Sequence, residues 1–254
     1  MSLNNIDKKN LIRILDNSNS FIIFTTGRAG TDFLQSCYEN HPQIASTSEK
    51  CEKFFDFINK NYSILSNSKK LFATLMVKEL LLSFAPYTNF IEDWQINSTD
   101  KYKKADCQIF VEAFSHLLES KNPGELNNLY ILKACILSFQ FSISKNINEI
   151  KTIIIHLHNL NQLKHYIEYF NKEDLVIICS RNIFDLVGSG VFHWHHYFKK
   201  NFEFDNLNNM KRYRESYART AFDYKKVFNH KEYNIFITML EKLSEKDYLN
   251  KINK

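Results

Sequence analysis

The sequence predicts an α/β fold in three layers: a central, mainly parallel sheet of about four to five strands flanked by helices, with a helical insert. Three observations lead there. Residues 21–24 (Phe-Ile-Ile-Phe) and 175–179 (Leu-Val-Ile-Ile-Cys) are continuous apolar runs, as expected of parallel strands covered on both faces. The first run passes through a glycine-bearing turn into an amphipathic helical pattern, the strand-turn-helix arrangement of a phosphate loop. Between the runs, apolar residues recur at spacings of three and four over 69–84 and 102–118, which marks helices with core-facing stripes. With 44% hydrophobic residues in 254, the chain can fill one large core. Only three prolines and five glycines occur, and no Ser/Gly/Pro-rich linker interrupts the pattern, so 1–254 is read as a single domain.

Taken in order, residues 7–15 form a short amphipathic helix and 21–24 the first strand. From Thr31, the residues Phe33, Leu34, Cys37 and Tyr38 recur at helical spacing until His41-Pro42 stops the helix. Residues 43–46 make a short second strand, and the polar residues 47–50 form the loop at its carboxyl end, where open α/β sheets place their chemistry. The helical insert covers 50–122 and ends in the turn Asn122-Pro123-Gly124. Residues 129–132 read as the third strand, ending at Lys133. A further strand follows at 152–156, a helix at 161–170 and the central strand at 175–179. Beyond Ser180-Arg181-Asn182 comes a helix with Gly188-Ser189-Gly190 in its interior, then the cluster His193-Trp194-His195-His196-Tyr197. Two helices, 210–228 and 231–249, make up the C-terminal region 208–250.

Composition excludes several function classes. The formal net charge of +5 is scattered along the chain, so bulk nucleic-acid binding is not expected and a local anionic ligand is. Five cysteines without C-x-x-C spacing fit neither a disulfide framework nor a zinc site, and indicate a reducing compartment. His193 and His196 could share a helix face, yet no cysteine or carboxylate completes a ligand set, so no metal is expected. Residues 1–20 lack a signal-peptide core and no apolar run reaches about 18 residues, so the expected location is the cytoplasm, free or peripherally on a membrane.

The glycines point to the chemistry. Four of the five, Gly27, Gly30, Gly188 and Gly190, follow the two most strand-like runs. Two glycines inside a helix cost about 1 kcal/mol each relative to alanine, so a packing or ligand reason is expected for Gly188 and Gly190. In the first turn, glycines that let a ligand approach the backbone, a helix N-terminus and the Arg28 guanidinium together suit an anion.

Thr25-Thr26-Gly27-Arg28-Ala29-Gly30-Thr31, then His41-Pro42 closing the next helix, then Arg181 and Ser189 after a later buried strand, resemble the sulfotransferases that use 3′-phosphoadenosine 5′-phosphosulfate. The resemblance covers roughly 21–194 with gaps in the helical insert, and it implies a P-loop-type fold. It implies that Thr26, Gly27, Arg28, Ala29, Gly30, Thr31 and Asp32 form the 5′-phosphosulfate loop, with Arg28 and the N–H groups of Gly30, Thr31 and Asp32 as donors. Arg181 and Ser189 would take the 3′-phosphate, leaving adenosine 3′,5′-bisphosphate as product. Lys133 resembles the family lysine that follows the third strand and neutralises charge on the leaving phosphate. Glu49 lies where members acting on sugars or tyrosines keep the base that deprotonates the acceptor hydroxyl; Glu52 lies one turn on, and His158 is the reserve base. The implied acceptor is a carbohydrate or another small metabolite, with no metal required.

Two departures keep other readings open. Asp32 stands where many relatives carry Thr or Ser, and no basic, glycine-containing loop follows in the C-terminal region, which suits a non-catalytic nucleotide-binding module of the same fold. A P-loop kinase-like phosphotransferase needs Gly-Lys-Ser/Thr, whereas Gly30 is followed by Thr31-Asp32.

Overall fold

The computed structural model describes residues 3–24, 31–38, 41–47, 51–78, 105–144, 147–157, 160–180 and 234–239. Its strands are β1 (Asn19–Phe24), β2 (Ile44–Ala45), β3 (Thr152–Leu157), β4 (Leu175–Ser180) and β5 (Asn234–Met239). They form one all-parallel sheet in the order β2-β3-β1-β4-β5. The helices among the described residues are α1 (Asn5–Asn17), α2 (Thr31–Tyr38), α3 (Glu52–Lys60), α4 (Tyr62–Asn67), α5 (Lys69–Met76), α6 (Cys107–Glu119), α7 (Asn128–Ser144) and α8 (Leu160–Ile167), with a short 3-10 turn at Pro123–Glu125.

The position of β1 explains its sequence. It is hydrogen-bonded on both sides, to β3 and β4, and its two faces enter different apolar clusters. Phe21 and Ile23 join Ile154, Ile177, Cys179 and Leu34 of α2 on one face. Ile22 and Phe24 join Ile155, Val176 and Ile178 on the other, together with residues of α1, α7 and α8. The result is helix, sheet, helix, which is the expected three-layer α/β architecture, consistent with a P-loop-like fold. Local signals set several ends: Asn4 caps α1 by accepting from Asp7 N–H, Ser68 caps α5, and Asp106 caps α6 by accepting from Gln108 and Ile109. The Asn122-Pro123-Gly124 turn closes with a capping box between Asn122 and Glu125.

Two expected elements are corrected. Residues 129–132 are not a third strand; they open α7, whose seventeen residues run to Ser144. The helix is mostly apolar because it is mostly covered, with Leu129, Ile131, Leu132, Ala134, Cys135, Ile136, Leu137 and Phe139 all buried and Tyr130, Lys133 and Gln140 half-buried. A helix without a polar face loses its period and reads as a short apolar run. The helical connection from β2 to β3 therefore extends well past residue 122. The expected helix over 231–249 is also corrected, because Asn234–Met239 is β5, paired along its length with β4. Ile235, Phe236 and Ile237 take the extended form offered by a neighbouring strand. The helix expected after 181 and that over 210–228 lie outside the described residues.

Burial also gives the fold a pH dependence. Desolvation, with a smaller contribution from Cys51, pushes the Cys135 thiol well above its ordinary value of 9.0. Burial likewise pushes the phenols of Tyr38 and Tyr130 above 10.0. In each case the unfolded chain loses its proton first, so stability falls as pH rises past the ordinary value, by up to about 1.4 kcal/mol per pH unit for each group. Lys133, pushed below 10.5 by desolvation against the pull of Asp174 and Asp16, acts in the opposite sense as pH climbs toward 10.5. Of these groups the fully buried Cys135 thiol is moved furthest, so urea denaturation under reducing conditions is expected to show a decline above pH 9. Cys135→Ala is expected to make that decline shallower while costing some stability at neutral pH.

Candidate functional site

All strands being parallel, their carboxyl ends share one edge of the sheet. From β1 the chain departs toward β2, and from β4 it departs toward β5, so two adjacent strands send their connections in opposite directions. Such a divergence opens a crevice at the carboxyl edge, the usual ligand position in open α/β sheets. Phe24 ends β1 and pairs with Ile178, two residues before the end of β4.

Residues 25–30 join β1 to α2, so Thr26, Gly27, Arg28, Ala29 and Gly30 lie outside the described residues. Thr31 opens α2 and is buried; Asp32 is its second residue, with a side chain outside the description. Leu34 and Gln35 are buried where α2 packs on β1 and β3. Arg181 follows the last residue of β4, and both it and Ser189 lie outside the described residues, as do Glu49, His158 and the histidine cluster at 193–196. The side chain of Glu52, at the start of α3, is outside them too.

The described part of this edge holds a polar network that sequence reasoning missed. His156, on β3 opposite Ile23, is only 2% exposed, and its Nδ1 lies 2.6 Å from Gln35 Oε1. The Gln35 side-chain N–H donates to the Thr47 carbonyl, just beyond β2. Cys51 N–H donates to the His156 carbonyl at 2.7 Å. The chain leaving β2 is thus held to α2 at Thr47 and to β3 at Cys51. The available signal was one imidazole within the aliphatic run 153–157, with Gln35 one helical turn after Thr31.

Lys133 does not join this edge. It lies on α7, and its ammonium donates at 2.6 Å to the carbonyl of Ser18, immediately before β1. Six residues separate Ser18 from Phe24, about 20 Å at a rise of about 3.3 Å per residue. The expectation that Lys133 sits at a strand's carboxyl end is therefore corrected: at the opposite edge it satisfies a carbonyl after α1, near Asp174 and Asp16. Lys133→Met is expected to cost about 1 kcal/mol in thermal or urea denaturation, the scale of one lost hydrogen bond.

Among the described residues no group of three or more His, Cys, Asp or Glu side chains could hold a metal ion. No helix among them is long and apolar enough to cross a membrane. In comparisons with known proteins, no family model, no curated protein and no solved structure matches the chain.

Proposed function

We propose that the protein is a sulfotransferase moving a sulfuryl group from 3′-phosphoadenosine 5′-phosphosulfate to a hydroxyl acceptor, a carbohydrate or another small metabolite. The observation that carries the proposal is the adjacency of β1 and β4 at the centre of an all-parallel sheet. The two segments that resemble the donor-binding motifs of that family, 25–31 and 181–189, begin at the carboxyl ends of these neighbouring strands. One nucleotide with phosphates at both ends of its ribose suits two anion-binding loops on adjacent strands.

In this proposal Arg28 and the N–H groups at the start of α2 bind the 5′-phosphosulfate, and Arg181 with Ser189 binds the 3′-phosphate. Glu49 takes the acceptor's proton as the hydroxyl oxygen forms its bond to sulfur and the bond from sulfur to the phosphate oxygen breaks. In-line transfer through a loose transition state asks mainly for positioning and charge stabilisation, and Arg28 supplies the cation that Lys133 cannot from the far edge. Calorimetry with adenosine 3′,5′-bisphosphate in metal-free buffer is the test, followed by transfer of labelled sulfuryl group to a panel of sugars and phenols. Absence of nucleotide binding sinks the proposal, and magnesium-dependent ATP binding in its place favours the kinase-like phosphotransferase.

The placement of Lys133 favours a second reading, a nucleotide-binding module without transfer chemistry. Nucleotide binding with no turnover of any acceptor would select it.

A further inference from the structure

Gln35 and His156 fix each other's orientation. The Thr47 carbonyl accepts only, so the Gln35 amide turns its nitrogen toward Thr47 and its oxygen toward His156. That oxygen also accepts only, so His156 Nδ1, 2.6 Å away, must carry the hydrogen. Both side chains are almost fully buried, Gln35 at 3% and His156 at 2% exposure, His156 beside Ile23 in the sheet register and Gln35 next to the buried Leu34 on α2. A buried polar pair in such surroundings is tolerated when its partners are well placed, and it then specifies one arrangement. Here the arrangement joins three elements. Gln35 belongs to α2, His156 to β3, and Thr47 to the chain leaving β2, which returns to the His156 backbone at Cys51.

We propose that Gln35 and His156 are positioning residues: His156, held protonated at Nδ1, orients Gln35, and Gln35 seats Thr47 against the first turns of α2. The pair thereby sets the spacing between the connection that leaves β2 and the helix that follows the glycine turn. Its catalytic consequence rests on the sulfotransferase proposal, whereas its structural content can be measured without any ligand.

The test begins with two-bond proton–nitrogen correlation spectra of the ¹⁵N-labelled full chain near neutral pH, with the His156 signal assigned by its loss in His156→Asn. A ring protonated at Nδ1 is expected, and protonation at Nε2 alone overturns the relay. Gln35→Ala should release the ring from that state and speed amide exchange at Cys51 by about tenfold, as expected where a local anchor is lost. His156→Asn offers a side-chain N–H in place of Nδ1 and should keep exchange within about twofold of the natural protein, whereas His156→Leu should speed it as Gln35→Ala does. Equal exchange in the two His156 variants, each confirmed folded by its melting transition, overturns the relay. Where transfer is measured, Gln35→Ala should lower kcat about tenfold with the affinity for adenosine 3′,5′-bisphosphate nearly unchanged. A natural protein that fails to bind that nucleotide overturns the functional proposal, while the tautomer and exchange results still decide the relay.

Discussion

Asp174→Ala is expected to lower the unfolding free energy by about 2 to 4 kcal/mol in urea titrations, from the full desolvation of one buried donor and the net loss of a second, more exposed bond. The reason lies in the register of the sheet. β4 begins at Leu175, opposite Phe21, so its backbone offers no ladder partner to Ser20 one position earlier. The Asp174 carboxylate takes that place: one oxygen accepts Ser20 N–H and the other accepts Asn171 N–H at 2.8 Å. Asp174 is 3% exposed and Ser20 1%, so removal of the carboxylate leaves the Ser20 N–H as a buried donor without its partner. Lys133 also loses an anion whose field favours its charged form. Asp174→Asn retains one acceptor oxygen and should cost less. A loss within about 0.5 kcal/mol for Asp174→Ala, the range of an ordinary surface substitution, would show that this edge is not a point of stability.

Arg181→Ala is expected to weaken binding of adenosine 3′,5′-bisphosphate by about 1 to 3 kcal/mol, roughly 5- to 150-fold in Kd, the scale of a lost charge-assisted pair. Arg181 directly follows the last residue of β4, the strand beside β1, and in the proposed function it faces the 3′-phosphate. Arg181→Lys keeps the charge but loses the planar fork, so its affinity should fall between those of the natural protein and the alanine variant. Adenosine 5′-phosphate, which lacks the 3′-phosphate, should bind the natural protein and Arg181→Ala alike. Calorimetric affinity for the bisphosphate that does not change in Arg181→Ala would remove this residue from the site and with it half of the proposed clamp.

The central strands were legible because their physics is local. A strand buried on both faces must be apolar throughout, and the runs at 21–24 and 175–179 became β1 and β4, while 152–156 became β3. The helix beginning at Thr31 was equally legible from its spacing. Of the candidate site, the sequence supplied the residue types: two loops carrying Arg28 and Arg181, and the carboxylate Glu49. It did not yield the buried Gln35–His156 contact, whose members are 121 residues apart.

A parallel α/β sheet, and a helix beginning soon after its first strand, could be read from the residues because both depend on periodicity and backbone preference within a few positions. Tertiary packing places residues 129–132 in a largely covered helix, adds 234–239 to the sheet, and puts Lys133 at the edge opposite the end of β1. Each of these depends on what lies on the far side of the element. An apolar run is compatible with a covered helix or a covered strand, and only the neighbours that cover it, or the strand that offers it hydrogen bonds, choose between them.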